Sequence, residues 1–394
     1  MGVIILAVTP MYVCLFWSLA LAFDLISSRT RWGVSPVTTG WRCPRIHLLI
    51  FMSVASVLYF GHLVFFCHKV PLIPFTDTLY VASNLAVYPL YYLYICSLTT
   101  TSHHARRLLL LFPCTVGGVF VALLYSTMSH QDTELFINTY LYGGSHTGLT
   151  GTALFQAYIH DVCKALFALM TIIVLYKGSK HIMHYEQLLK NAYADIEGKS
   201  LYSLHNILRA FVATTVLSFI ANAMGRHLFT GSYWTLALPS TVFSVMLFLI
   251  GYIGYHTQFC IYDIAQDEQQ ADTLVSDSNT ILDLSQRIDA TMREESLFLR
   301  RNLKVVDLAR LLGTNRNYIY LAINGEMGQS FSEYVNRMRV DYARQLMTTH
   351  PGMNMTDIAE QSGFSSATSF YRNFKLYTGL SPKEYSITKK TPVA

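Results

Sequence analysis

The chain has 394 residues, of which 52% are hydrophobic and only 13% are charged, with a formal net charge of +5. Soluble domains contain about 25% charged residues, so this composition argues against a soluble single-domain protein. The charge is uneven, because residues 297–394 hold thirteen Lys or Arg against seven Asp or Glu. The seven cysteines are scattered, without a C-x-x-C motif or histidines at ligand spacing. No metal site, disulfide framework or cofactor is therefore predicted.

Seven apolar stretches of about 20 residues, the length that crosses a bilayer, occupy most of the first 256 residues. They are residues 3–23, 46–66, 77–97, 108–128, 153–176, 206–225 and 233–255. These stretches predict an all-α fold, with a seven-helix transmembrane bundle followed by a soluble domain. The first stretch could instead be a secretory signal, but it lacks a basic N-terminal region and its apolar core exceeds about 15 residues.

The positive residues in the loops predict the orientation of the bundle. Ten of them follow the odd-numbered spans: Arg29, Arg31, Arg42, Arg45, Arg106, Arg107, Lys177, Lys180, Lys190 and Lys199. The other side has only Lys69 and Arg226. Because Lys and Arg favour cytoplasmic loops, we expect a multi-pass protein of the inner (cytoplasmic) membrane, with its N-terminus outside and its C-terminal domain in the cytoplasm. The basic loop 177–205 is predicted to lie against lipid headgroups.

The fifth predicted span contains three ionisable residues, His160, Asp161 and Lys164. Residues three or four apart share a helix face, so Lys164 can pair with either of the other two. A charge inside a bilayer costs about 2.5 to 3.5 kcal/mol, and such residues often mark a functional site. One hypothesis is therefore a ligand-sensing site. The alternative is that the three side chains lie at the outer interface and extend to water.

The composition changes after the last span. Residues 257–296 contain nine acidic side chains against Arg287 and Arg293, which predicts a solvated acidic linker. Within it, apolar residues recur at helical spacing at Ile281, Leu284, Ile288 and Met292. This amphipathic helix either begins the next domain or pairs with its copy in a second chain.

The stretch "GFSSATSFYRNFKLYTGLSP", residues 363–382, has the pattern of the second half of a helix-turn-helix. A short helix over 356–361 precedes a turn at Gly363, and Ser366 is placed to cap the next helix. Phe370 and Phe374 form the buried stripe of that helix. Its exposed face is then Ala367, Thr368, Tyr371, Arg372 and Lys375.

The same pattern occurs about fifty residues earlier, in "LKVVDLARLLGTNRNYIYLAIN". It predicts a turn at Gly313, a helix cap at Asn315, and a second helix with Ile319 and Ile323 buried. The outward residues of that helix are Arg316, Asn317, Tyr320 and Leu321. Residues 330–349 between the two units contain no Gly or Pro and predict one linking helix.

Residues 297–385 resemble the AraC/XylS-type DNA-binding domain, and the layout of the chain resembles the polytopic membrane variants of that family found in Bacteroidetes. The resemblance implies that both reading helices enter major grooves on one face of double-stranded DNA, about 34 Å apart, with Arg316, Asn317 and Arg372 at base edges. Asn324 and Ala367 depart from the basic or polar residues common at those positions. These departures imply modest affinity per monomer and favour a homodimer.

We therefore predict three domains: a transmembrane bundle over 1–256, an acidic linker with an amphipathic helix over 257–296, and a double helix-turn-helix domain over 297–394. The predicted function is a membrane-embedded, sequence-specific transcription regulator that is not an enzyme. The bilayer and DNA are its predicted partners, with an unknown small-molecule or protein signal. Two alternatives stay open: a transporter or membrane enzyme with a regulatory DNA-binding tail, and a passive membrane anchor of a regulator.

Overall fold

The computed structural model describes residues 2–31, 39–101, 105–196, 201–224, 233–257, 261, 264 and 281–390. Within these ranges every regular element is a helix, which confirms the all-α fold. The chain divides into two compact units. The first contains Met1–Ile182 and Ser203–Cys260, and the second contains Met183–Tyr202 and Ile261–Ala394.

Among the described residues up to 257, the chain forms eight α-helices. They are α1 (Gly2–Arg31), α2 (Thr39–Phe66), α3 (Ile73–Thr99), α4 (Phe112–Thr127), α5 (His130–Phe136), α6 (Gly151–Ala192), α7 (Leu201–Met224) and α8 (Tyr233–His256). Helix α1 packs against α2 and α8, and α3 packs against α2 and α4. Helix α6 is continuous, but its residues from Met183 onward belong to the second unit.

Six of the described helices are long and apolar enough to cross a membrane, judged by length and composition alone. The span on α3 is 83% buried, against 17% to 44% for the other five, so α3 is the central helix of the first unit. The predicted count of seven is not confirmed. In the part of α7 that is described, the apolar stretch is the shorter Val212–Ala221.

Seven helices build the second unit after residue 280. They are α9 (Ile281–Glu294), α10 (Val305–Leu311), α11 (Arg316–Tyr320), α12 (Phe331–Thr349), α13 (Met355–Gln361), α14 (Ala367–Thr378) and α15 (Pro382–Lys390). A π-helical turn, Leu321–Glu326, continues α11. Helix α12 coincides with the predicted linking helix and begins with a capping box formed by Ser330 and Glu333.

Helix α12 joins two hydrophobic cores. Its first half contributes Phe331 and Val335 to a core around α10 and α11, and its second half contributes Val340 and Ala343 to a core around α13 and α14. Each helix-turn-helix therefore has its own core, and one helix connects them.

Helix α9 is part of the first of these cores, through Leu284, Ile288 and Met292. The amphipathic helix predicted at this position therefore begins the C-terminal domain, which was one of its two interpretations. Its apolar stripe is covered within a single chain, because Ile288 and Met292 are fully buried.

Candidate nucleic-acid interface

The second helix-turn-helix consists of α13, a turn at Gly363 and α14. Gly363 has φ of +82°, and a Cβ there would lie 2.7 Å from the carbonyl oxygen of Leu299, so only glycine fits without a shift. The backbone N–H of Ser369 donates to the Ser366 hydroxyl at 3.1 Å, which caps α14 as predicted. Phe370 and Phe374 are fully buried beneath α14.

The outer face of α14 carries the residues predicted to read DNA. Ala367, Thr368, Arg372 and Lys375 are exposed, and Tyr371 is half-buried because its ring packs against the core below. Arg372 and Lys375 place two positive charges on this face, and a guanidinium has the fork of donors that matches a guanine edge. The buried phenylalanines fix which side of the helix faces outward.

The first helix-turn-helix consists of α10, a turn at Gly313 and α11. Gly313 has φ of +62°, and the Asn315 side chain accepts from the backbone N–H of Asn317 at 2.8 Å, as the predicted cap requires. Ile319 is fully buried below α11. Of the predicted reading residues, Asn317, Tyr320 and Leu321 are exposed and Arg316 is half-buried. Burial lowers the pKa of the Arg316 guanidinium below its ordinary value.

Arg339, in the middle of α12, contacts residues of both helix-turn-helix cores. Its side chain is fully buried, with Nε donating to the carbonyl oxygen of Phe298 at 2.7 Å and Nη2 to that of Arg300 at 2.8 Å. Its guanidinium also lies 5.7 Å from the centre of the Phe364 ring, in the other core. Burial lowers the pKa of Arg339 to about 10, so it stays charged near neutral pH.

The sequence analysis missed this role of Arg339, although a signal was present. Arg339 stands four residues after Val335 and four before Ala343, both of them buried. Helical spacing alone placed it on the buried stripe of α12.

The end of α6 and the residues after it belong to the same unit as the two helix-turn-helix motifs. Ala194 is fully buried, and its N–H donates to the carbonyl oxygen of Leu303 at 3.0 Å. Its own carbonyl oxygen accepts from the Ser332 hydroxyl at 2.9 Å and from the Asn336 amide at 3.2 Å. The sequence analysis predicted lipid headgroups for this loop and missed these contacts.

A cleft of about 280 Å³ separates the end of α6 from the first reading helix. We call residues 184–192 the arm, because they form the wall of the cleft that precedes the buried Ala194. Arm residues His184, Leu188 and Asn191 line one side, and Arg316, Asn317 and Tyr320 line the other. The Asn324 amide also donates to the side-chain oxygen of Asn191 at 3.4 Å. Three of the four residues predicted to read DNA in the first motif thus face the arm.

The predicted sensing residues lie on α6 in the first unit, and His160 is paired with a residue that sequence reasoning missed. His160 Nε2 lies 2.7 Å from Asp77 Oδ2 on α3, and both side chains are buried, at 5% and 2% exposure. The Tyr125 hydroxyl donates to the same Asp77 oxygen at 3.0 Å. The signal for Asp77 was an acidic residue at the start of an otherwise apolar predicted span.

Asp161 and Lys164 are close to one another, as their spacing predicted, but they are partly exposed. Lys164 Nζ lies 3.4 Å from Asp161 Oδ1, and the Tyr140 hydroxyl donates to that oxygen at 2.6 Å. His146 Nε2 lies 2.9 Å from the other Asp161 oxygen. His160 is thus buried and the two charged residues are partly exposed, while Tyr140 contacts all three: its ring lies 5.8 Å from that of His160, and its hydroxyl bonds Asp161 and Lys164.

The described residues contain no group of three or more His, Cys, Asp or Glu side chains able to hold a metal ion. Within the described part of the chain the cysteines are free thiols, at Cys14, Cys67, Cys96, Cys114 and Cys163.

Comparison with known proteins gives matches in the C-terminal region. Residues 308–386 match a family described as "Helix-turn-helix domain". Uncharacterized HTH-type transcriptional regulators of Staphylococcus aureus are 34% identical over 89 residues, 23% of this chain and 12% of theirs. The uncharacterized transcriptional regulatory protein YesN of Bacillus subtilis is 34% identical over 76 residues, 19% of this chain and 21% of YesN.

The chain thus spans a small part of the length of these relatives, and no solved structure matches it. The matched residues coincide with the two turns, the two capped helices and the linking helix described above. The C-terminal part of this chain is accordingly a helix-turn-helix domain of the AraC type.

Proposed function

We propose that this protein is a membrane-embedded transcription regulator that reads a specific double-stranded DNA sequence through two helix-turn-helix motifs. The observation that carries the proposal is the pair of capped helices on one linking helix, with Arg372 and Lys375 exposed on the second. An exposed guanidinium on the outer face of a capped helix can recognise guanine in a major groove. The nine reading residues act on DNA in two sets, four on α11 with its π turn and five on α14.

The bundle holds this domain at the inner membrane, with the N-terminus outside and the DNA-binding domain in the cytoplasm. Six long apolar helices support membrane embedding, and the ten-to-two division of Lys and Arg among the loops supports the orientation. A reporter fused after Glu268 should be active only as a cytoplasmic protein, and one inserted at Gly143 only as an exported one. The reverse pattern would separate the DNA-binding domain from DNA.

Specific DNA reading is tested on the full chain in lipid nanodiscs, with operator sites selected from random DNA. Arg372→Ala should weaken the selected site by about 1 to 3 kcal/mol and leave random DNA nearly unchanged, because the guanidinium contacts a base. Lys383 is exposed on α15 and is the matched control. Lys383→Ala should weaken selected and random DNA alike and reduce the salt dependence by about one phosphate contact. Equal losses in both variants would show that α14 does not read bases.

The proposal includes sensing by the bundle, and the pair between His160 and Asp77 supports it against a passive anchor. A buried polar pair between α3 and α6 is costly to keep in an apolar bundle, and it is a usual place for a switch between two packings. A ligand or proton that prefers one packing shifts the balance between them, whereas equal binding to both shifts nothing.

Sensing is tested by comparing target-gene responses at equal amounts of protein in the membrane. Replacing the buried pair, as Asp77→Asn with His160→Gln, should change the response of the target genes to growth conditions. Replacing the partly exposed pair, as Asp161→Asn with Lys164→Met, tests the original hypothesis. If both double variants regulate as the parent does under every condition, the bundle is an anchor, and the DNA-binding proposal still stands.

A further inference from the structure

We infer that the arm and DNA compete for the first reading helix, so that the structure shows a state in which the first helix-turn-helix is blocked by the chain's own residues 184–192. This inference rests on the proposed function, because it takes Arg316, Asn317 and Tyr320 to be DNA-reading residues. It adds a surface and its occupant, which are the reading face of α11 and the end of α6.

The first step is spatial. A reading helix enters a major groove about 12 Å wide, and a helix with its side chains is itself about 10 to 12 Å across. DNA must therefore surround the outer face of α11. In this structure that face is one wall of a cleft of about 280 Å³ whose other wall is the arm. A duplex does not fit in that space, so the arm has to leave before α11 can enter a groove.

The second step concerns how the arm is held. The residues that follow it are fixed, because Tyr193, Ala194 and Asp195 are buried and Ala194 makes three hydrogen bonds to the domain. Lys304 adds a cationic contact 5.7 Å from the centre of the Tyr193 ring. The segment 193–195 is thus an anchor that stays with the domain when DNA binds.

The arm is held by packing as well as by polar contacts. The side chains of Tyr185 and Leu189 are fully buried, and the hydrogen bond that the Asn324 amide donates to Asn191 is 3.4 Å long. Hydrogen bonds this long contribute little. Packing therefore holds the arm in place, and its release needs a change in the packing of α6 that offsets the exposure of these two side chains.

The third step gives the block a source of control. The arm is the end of α6, and α6 is one continuous helix from Gly151 that also carries His160 and its pair with Asp77. A change of packing that moves α6 therefore moves the arm, with no additional element needed. The second motif lies outside this cleft, because no residue of α14 lines it and four of the five α14 reading residues are exposed.

The test locks the arm in place. Asn191→Cys with Asn324→Cys puts two thiols where two side chains meet, and a short reducible bifunctional thiol reagent joins them in the full chain in nanodiscs. The cross-linked protein should bind its selected site about tenfold to a hundredfold more weakly, as expected from the loss of one or two base contacts. Its footprint should shrink to the half-site of the second motif, and reduction should restore both.

Each single cysteine variant, treated with the same reagent, controls for reaction at the native cysteines. If the cross-linked protein protects both half-sites with undiminished affinity, the arm and DNA do not compete and the inference is wrong. If the untreated double variant and the parent bind no specific site at all, the proposed function itself fails, and the inference falls with it.

A second variant pair tests release of the arm without a cross-link. Leu188→Lys places a cation in the cleft that Arg316 and Lys304 also line, so repulsion should open it and tighten specific binding severalfold. Met183→Lys adds the same charge at an exposed position of α6 outside the cleft. Equal affinities for the two lysine variants would contradict the inference, since they would reflect added charge alone.

Discussion

The two helix-turn-helix motifs share a pattern but differ at the helix that would read DNA. In the second motif α14 is a regular helix, Ala367–Thr378, with an exposed Arg372. In the first, α11 is a five-residue helix continued by a π turn, and its Arg316 is half-buried in the cleft beside the arm. The same local chemistry of turn and cap has thus produced one open surface and one surface that lines a cleft beside the arm.

This difference shows that a reading surface depends on what else the chain places near it, and not only on the motif. The second motif has the features of a constant DNA contact. The first has the features of a contact that is made only in one state of the protein. Four predictions test this contrast, in order of decreasing size.

The largest effect is expected at Arg339, which the two motifs share. Arg339→Met should destabilise the domain by about 3 to 5 kcal/mol, because two backbone carbonyl oxygens, of Phe298 and Arg300, lose charged donors in a buried site. Amide hydrogen exchange on the full chain should show faster opening around both Ile319 and Phe370. Arg337→Met, at an exposed position of the same helix, is the matched control and should change little.

Loss of protection around Ile319 alone would mean that the two motifs are independent, and the contrast between them would then have no structural connection through α12.

The second largest effect is expected at the turn glycines, where the cost of substitution should differ between the two motifs. Gly363→Ala should cost about 3 kcal/mol, since a left-handed backbone is combined with a Cβ that meets the Leu299 carbonyl oxygen at 2.7 Å. Gly313→Ala has a similar φ but nothing within 4 Å of the new Cβ, so about 1 kcal/mol is expected. Both costs are measured by amide hydrogen exchange, as the change in the free energy of opening of each motif. Equal costs would show that backbone conformation alone governs the two turns.

Sequence alone predicted the elements whose signals are local. The caps at Asn315 and Ser366, the turn at Gly363 and the linking helix all follow from residue types at fixed spacing, and all are present. The AraC-type domain was recognised from the same residues and is confirmed by the family match. The burial of Phe370 and Phe374 likewise followed from their four-residue spacing.

What the sequence did not predict depends on contacts between distant residues. The pair formed by Asp77 and His160 joins positions 83 residues apart, and the contact between Ala194 and Asn336 joins positions 142 apart. A periodic pattern within one helix cannot reveal either contact, because the two partners lie far apart in the sequence. A polar loop also fits lipid headgroups and a protein surface equally well by composition, which is why the contacts of Ala194 with the domain were not predicted.

Binding of DNA should show the contrast at the level of single arginines. Arg372→Ala should cost about 1 to 3 kcal/mol in the parent protein and the same in the Leu188→Lys background. Arg316→Ala should cost less in the parent than in that background, because in the parent the arm keeps α11 from DNA and Arg316 therefore contributes less to the measured affinity. Competition titrations with the selected site measure all four values. An Arg316→Ala cost that is identical in both backgrounds would show that the arm does not engage Arg316.

The smallest effect concerns the capping box at the start of α12, between the two motifs. The backbone N–H and the hydroxyl of Ser330 both donate to Glu333, at 2.8 and 2.9 Å, and the backbone hydrogen bond is the main cause that lowers the pKa of this carboxyl below 4.5. A lowered folded pKa means that the ionised form stabilises the fold at pH values above the unfolded pKa. The stabilisation is lost as the pH falls through the folded pKa.

Glu333→Gln should therefore reduce the stability of the domain by less than about 1 kcal/mol at pH 7, since glutamine keeps an acceptor in a capping box but loses the charge. The difference between parent and variant should stay constant down to about pH 5 and disappear below the folded pKa. Because the box begins the helix that both cores share, hydrogen exchange at pH 7 should rise slightly in both motifs. A difference that persists at the lowest pH, where Glu333 is protonated, would show that packing of the side chain and not its charge stabilises the start of α12.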